Sequence, residues 1–168
     1  MPPISGGPTL KRLCLVCLGN ICRSPIAEGV LRHLVSEAGR GHQFQIESAG
    51  VGGWYVGEPA DSRAQRTALA HGLRLSGTAR QFHAADFEAF DLILALDEEV
   101  AGSLRRLAPN EAGRLKIRLL REFDPLARGQ LAVPDPYSGT LQDFENVYQI
   151  VERSCRELLK FLLAEEAG

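Results

Sequence analysis

Strand-like and helix-like segments alternate throughout this chain, and that alternation restricts its fold more than any other feature. LCLVC (13–17) and DLILAL (91–96) are short apolar runs. They are too short for buried helices and read as strands covered on both faces. FQIES (44–48) alternates in polarity as a strand does, and RLKIRLL (114–120) is a further strand candidate. Between them the apolar period becomes helical. Ser24-Pro25 reads as an N-cap with proline at the first helical position. Ile26, Val30, Leu31, Leu34 and Val35 then recur at helical spacing up to a stop at Gly39. PADSRAQRTALAHG (59–72) reads as a helix closed by Gly72. Asp97, Glu98 and Glu99 open another, which ends before Pro109. The last starts near Thr140 and puts Phe144, Val147, Val151, Cys155, Leu158 and Leu162 on one face. SAGVGGW (48–54) and 122–139 read as loops.

Strands joined by crossover helices make a parallel sheet. The expectation is therefore one α/β domain over 10–168, a four-stranded parallel sheet flanked by helices, behind a flexible Pro/Gly-rich lead-in at 1–9. Ligands of such sheets bind at the carboxyl ends of the strands.

Charge and cysteine content narrow the function. A net charge of −2 offers no global basic field for nucleic acid or anionic lipid. Every apolar run falls far short of the ~20 residues of a membrane span. The N-terminal stretch has no signal-peptide pattern. Four cysteines, three of them between positions 14 and 22, do not form a secreted disulfide framework. Cytoplasm is the expected compartment, with secretion by a route without a signal peptide left open.

The stretch CLGNICRSP (17–25) sits where the first strand hands over to the first helix. Cys14 and Cys17 do not make a metal knuckle, because residues three apart on a strand face opposite ways and no second Cys/His pair follows. Nor do they make a thioredoxin-like redox pair, which would open a helix rather than end a strand. The remaining reading is an anion cradle holding a nucleophile. A short loop entering a helix N-terminus turns backbone N–H groups inward. Gly19 permits a positive φ there, and Arg23 offers a planar fork to two oxygens of the anion. Cys17, at the mouth of the same positive field, is favoured as thiolate. A phosphate-binding loop of the Walker type ends in Gly-Lys-Ser/Thr, which is absent here.

VCLGNICRSP with a distant DPYSG resembles the low-molecular-weight protein tyrosine phosphatases. The resemblance runs through RSPIAEGVLRHLV, ESAGVGGWYVGEPAD, the HG at 71–72, FDLILALDEE, the FDP at 123–125 and DFENVYQIV, nearly the whole chain. It implies a Rossmann-like or flavodoxin-like phosphatase fold and hydrolysis of phosphotyrosine monoesters in protein substrates, with inhibition by phosphate-like oxyanions and no metal or organic cofactor. Cys17 would be the nucleophile forming a phosphocysteine intermediate, and Arg23 would bind phosphate and stabilise the transition state. Leu18, Gly19, Asn20, Ile21 and Cys22 would complete the phosphate loop. Ser24 would donate a hydrogen bond to the thiolate. Asn20 would hold the loop's shape in a network with Ser48 and His71. Asp135 would be the general acid and then the base, and Trp54 and Tyr137 would wall the slot for the phosphotyrosine ring. The chain departs from the family pattern at Ser138, where many members carry a second tyrosine, and after Leu96-Asp97-Glu98-Glu99, where many carry asparagine and this chain has Val100.

Elementary chemistry supports the same assignment. A phenolate leaves poorly unless protonated, so an acid on a separate loop is needed. Pro134 and Pro136 stiffen Asp135. Cys22 can pack in the loop, yet its distance from Cys17 invites a reversible disulfide. Cys14 and Cys155 read as core packing, and His33, His42 and His83 as surface or packing residues. Two enzymes of the same fold compete. An arsenate reductase needs further cysteines for a disulfide relay, and none lies between Cys22 and Cys155. A protein-arginine phosphatase tends to carry threonine where this chain has Ile21. A non-catalytic phosphate-binding module would be expected to lose Cys17 or Asp135, and both are present.

Overall fold

A computed structural model describes residues 10–167. The expected lead-in at 1–9 lies outside them. In chain order the elements are β1 (Lys11–Cys17), α1 (Arg23–Glu37), β2 (Phe44–Gly50), α2 (Ser62–Ala70), α3 (Asp86–Ala89), β3 (Leu92–Ala95), α4 (Glu98–Leu107), α5 (Glu111–Arg114), β4 (Ile117–Leu119) and α6 (Leu141–Ala167). The four strands form one sheet in the order β2-β1-β3-β4, every pairing parallel.

Period-two alternation along β1 divides the core. Leu13, Leu15 and Cys17 face the cluster built by α1, α2 and α6, including Ile26, Leu31, Phe144 and Leu158. Cys14 and Val16 face the other side, against Phe82, Phe87, Phe90 and the α4 residues Val100 and Leu104. The central strands are buried on both faces, as the apolar runs require. The 27-residue α6 buries the predicted stripe from Phe144 to Leu162. No helix among the described residues is long and apolar enough to cross a membrane.

Several boundaries differ from the sequence reading. α1 begins at Arg23, one residue before the expected cap, and its N-cap, Cys22, makes no side-chain cap bond. Ser24 is inside the helix because its hydroxyl is engaged elsewhere. Gly39 does end the segment, at φ +71, with Arg40 N–H donating to Val35 O. β2 runs on to Gly50, where the ladder pairs it with Cys17. The helix at 59–72 is shorter, with Asp61 capping it through the Arg63 N–H. β4 keeps three residues of the 114–120 run. α3 and α5, one turn each, carry too few residues for a periodic signal.

The chain leaves β1 for β2 on one side and later returns to β3 on the other. The strand order therefore reverses at the carboxyl end of β1, which opens a crevice there. CLGNICRSP occupies it.

Candidate active site

Cys17 closes β1, nearly buried at 3% exposure, and the loop to α1 wraps over it. The carbonyls of Cys17, Leu18 and Ile21 accept from the N–H groups of Val51, Gly52 and Asp61. In a planar trans peptide the N–H opposes the carbonyl, so carbonyls tied outward turn the following N–H groups inward. That arrangement is able to cradle an anion. Asn20, not Gly19, takes the left-handed conformation, at φ 61. Asparagine tolerates it better than most residues, and its side chain is held three ways. Nδ2 donates to Ser24 Oγ at 2.8 Å and to Ser48 Oγ at 3.0 Å, and Oδ1 accepts from the Arg80 N–H at 3.0 Å. Ser48 in turn donates to Glu28 Oε1 at 2.5 Å. Gly19 is needed for space: a Cβ there would meet the Tyr55 ring at 2.9 Å. A Cβ on Gly50 would press on the loop backbone at 3.0 Å.

The same network points hydrogens at the sulfur. Ser24 Oγ lies 2.9 Å from Cys17 Sγ. Because that oxygen accepts from Asn20 Nδ2, its own hydrogen is left to donate to sulfur. The Asn20 N–H adds a second donor at 3.3 Å. Both contacts suit a thiolate, which only accepts.

Arg23 is buried at 3% exposure. Nη1 donates to Asp97 Oδ2 at 2.6 Å and to Val133 O at 3.0 Å, and Nη2 lies 3.7 Å from Asp135 Oδ2. Burial opposes its charge, but the Cys17 sulfur, Asp97 and Asp135 more than offset that and hold the guanidinium more firmly protonated than usual. Asp135 stands across the cradle, half exposed, with Oδ1 accepting from the Tyr137 N–H at 3.1 Å. A cavity of about 350 Å³ lies between: the residues from Cys17 to Arg23 other than Asn20 form its floor, Trp54, Tyr55 and Tyr137 its walls, and Asp135 its rim. Trp54 is 69% exposed, so one face of the slot is open, and Tyr55 tilts against Tyr137 at 6.3 Å between ring centroids.

Cys22 is buried beside the cradle, and burial first, then the nearby Asp61, Cys17 and Asp135 charges, push its thiol up to about 12. All four cysteines are free, and burial raises the thiols of Cys14 and Cys155 as well. Among the described residues no three His, Cys, Asp or Glu side chains gather as a metal site.

One expected site residue lies elsewhere. His71 does not join the Asn20–Ser48 network. Its Nε2 bonds Glu145 of α6 at 2.6 Å and its ring stacks on Tyr148. It caps the end of α2, whose carboxyl end is tied to α6. The role expected of it is filled by the Arg80 backbone and by Glu28. Three further residues were not singled out by the sequence: Asp97, which holds Arg23; Tyr55, a slot wall; and Arg63, which bonds the carbonyls of Tyr137 and Gly139. Asp97 follows a sheet strand at its carboxyl end, and Tyr55 adjoins Trp54, so each had a signal. Arg63 had none.

A family model described as low molecular weight phosphotyrosine protein phosphatase matches residues 12–167. A low molecular weight protein-tyrosine-phosphatase of Streptomyces coelicolor is 49% identical over 94% of this chain and 96% of its own. A human low molecular weight phosphotyrosine protein phosphatase is 42% identical over 89% of this chain and 94% of its own. Among solved structures, a protein tyrosine phosphatase from Entamoeba histolytica with Hepes in the active site superposes with a TM-score of 0.89. It is 32% identical and the match covers 92% of this chain and 98% of that one.

Proposed function

The chain belongs to the low molecular weight phosphotyrosine protein phosphatase family, and on that premise we propose how its residues divide the reaction. The enzyme is a protein-tyrosine-phosphatase. A phosphotyrosine ring enters between Trp54 and Tyr137, with Tyr55 behind, and its phosphate settles on the cradle N–H groups and the Arg23 fork. Cys17 Sγ attacks phosphorus. The S–P bond forms as the bond to the phenolic oxygen breaks, and Asp135 gives that oxygen its proton. The same Asp135, now a carboxylate, takes a proton from water. The resulting hydroxide attacks phosphorus, the S–P bond breaks, and phosphate leaves. Arg23 and the cradle carry the charge that builds on the equatorial oxygens. Ser24 and the Asn20 N–H stabilise the thiolate released in the second step. No step requires a metal or organic cofactor.

The observation that carries this reading is the Cys17 sulfur held by two donors in the same cavity that Asp135 and Arg23 line, with Arg23 Nη2 3.7 Å from the Asp135 carboxylate. The relative from Entamoeba histolytica holds Hepes, a molecule that carries a sulfonate, in its active site, which is consistent with an oxyanion cradle, and phosphate-like oxyanions are expected inhibitors here. The buried Cys155 cannot serve an arsenate relay. Cytoplasm suits an enzyme whose nucleophile must stay a free thiol. Cys22 stands as the partner that traps oxidised Cys17: the sulfenic acid condenses with the Cys22 thiol to a disulfide and water, which cellular thiols reverse. Turnover of phosphotyrosine, phosphoserine and phosphoarginine peptides by wild type and Cys17→Ser tests the function. Phosphotyrosine should be strongly preferred and Cys17→Ser inert. Preference for phosphoarginine, or substantial activity of Cys17→Ser, overturns it.

A further inference from the structure

Asp135 has little of its own to hold it. Half exposed, its carboxylate bonds, among the described residues, only the Tyr137 N–H of the same loop, with Arg23 at 3.7 Å. Upstream the loop is pinned at Val133, whose N–H donates to Leu96 O at 2.8 Å and whose carbonyl accepts from Arg23. Downstream, Pro136 is buried and the Thr140 N–H donates to Asp143 Oδ2 at 2.7 Å, and between these two anchors one side chain ties the turn. Arg63, the second residue of α2, donates from Nη2 to Tyr137 O at 2.9 Å and from Nη1 to Gly139 O at 3.0 Å.

The far edge of that guanidinium is itself fixed. Nε and Nη2 donate to the two Asp61 carboxylate oxygens at 3.0 and 2.9 Å. The Asp61 N–H donates to Ile21 O of the cradle at 2.8 Å. Arg63 also lies over the Phe144 ring at 4.6 Å, which fixes its plane against α6. A continuous path therefore runs from the phosphate cradle through Asp61 and Arg63 to the turn that follows Asp135.

We propose that Arg63 is the positioning residue of the acid loop: through the Tyr137 and Gly139 carbonyls it sets the height of Asp135 above Cys17. The proposal rests on Asp135 being the general acid. A proton donor must come within about 2.6–3.2 Å of the leaving oxygen, and a misplacement of about 1 Å can cost about 10²-fold. A lysine ammonium cannot span Asp61 and two carbonyls in one plane, so the fork is what the site needs.

The test is kcat/KM for aryl phosphates of graded leaving-group pKa, which reports the steps up to departure of the phenol, together with inhibition by inorganic phosphate. Arg63→Ala should lose roughly 10–100-fold with phenyl phosphate and under about 3-fold with a dinitrophenyl phosphate, while phosphate inhibition moves less than about 2-fold. Arg63→Lys should recover part of the loss. On an Asp135→Asn background Arg63→Ala should cost under about 2-fold, because the group it positions is gone. Should Arg63→Ala fail to fold, the slope of Arg63→Lys decides in its place. A loss equal across leaving groups, or phosphate inhibition weakened in proportion, makes Arg63 a structural residue and overturns the proposal. If Asp135→Asn itself keeps the wild-type slope, the acid assignment is what fails, and the proposal falls with it.

Discussion

Asp97→Asn removes one charge and almost no volume. The carboxylate serves two donors on two oxygens: Oδ2 takes Arg23 Nη1 at 2.6 Å, and Oδ1 takes the Val100 N–H at 2.7 Å, capping α4. Asparagine has one oxygen. If it stays on Val100, an NH₂ group faces the guanidinium; if it turns, the cap is lost, at about 1 kcal/mol. Two unit charges 4 Å apart are worth about 4 kcal/mol at an effective dielectric constant near 20. Asp97 is about one-fifth exposed, at 21%, so water screens part of this, and Val133 O and Asp135 stay on Arg23. The expected loss is about 2–3 kcal/mol, below the 3–5 of a wholly stranded charge. For a domain of this size that lowers Tm by roughly 4–12 °C. A phosphate on Arg23 restores the missing anion, so the variant should bind phosphate at least about 3-fold tighter and regain about 0.7 kcal/mol at saturation. Thermal and urea unfolding with and without phosphate, with titration calorimetry, measures both terms. An identical loss at zero and saturating phosphate would refute the reasoning.

Asn20→Ala loses three side-chain bonds and keeps the φ of 61, so it should fall by about 2 kcal/mol in stability and at least about 10-fold in kcat; Asn20→Gly should regain the stability but not the rate. The buried Asp124 feels burial, but Arg153, the Leu126 N–H and Arg121 outweigh it and hold its carboxyl below the usual range. A folded value below the unfolded one stabilises fully above about pH 4 and is lost as pH falls through the folded value. Asp124→Asn should therefore lower stability by about 1.5–3 kcal/mol at pH 7, since the arginines it leaves are partly exposed, and flatten the acid limb of the urea-midpoint profile. After peroxide, Cys22→Ser should recover less activity with added thiol than wild type, and a Cys17–Cys22 linked peptide should appear only in wild type; equal recovery rules the trap out. Trp54→Ala should cut phosphotyrosine kcat/KM by about 3–30-fold with phosphate inhibition unchanged, since it removes a ring contact and no phosphate contact.

The sheet and long helices were legible because their signals are local and redundant. The unbroken apolar run at 13–17 and the stripe on α6 each repeat the same instruction several times. The cradle was legible because strand, loop and helix start are contiguous, so Cys17, Arg23 and Ser24 meet without long-range pairing. What escaped were residues whose partners are far away in sequence. Arg23 meets Asp97 across 74 positions, and Arg63 meets Gly139 across 76. His71 shows the converse: its place before Gly72 said that it ends a helix, but not that the helix end faces α6. Gly19 was read for its backbone freedom when its missing Cβ makes room for Tyr55, a contact no local pattern records. Ser24 carried a cap signal that the Cys17 sulfur overrode.

The central claim is that Cys17 sulfur becomes covalently phosphorylated during turnover. Rapid acid quench of wild-type enzyme mixed with a phosphotyrosine peptide, followed by peptide mapping, tests it directly. The account predicts a transient phosphoryl group on the peptide containing Cys17, formed as fast as free tyrosine peptide appears and absent in Cys17→Ser. Release of product with no phosphoenzyme at any time, or label on another residue, would contradict it.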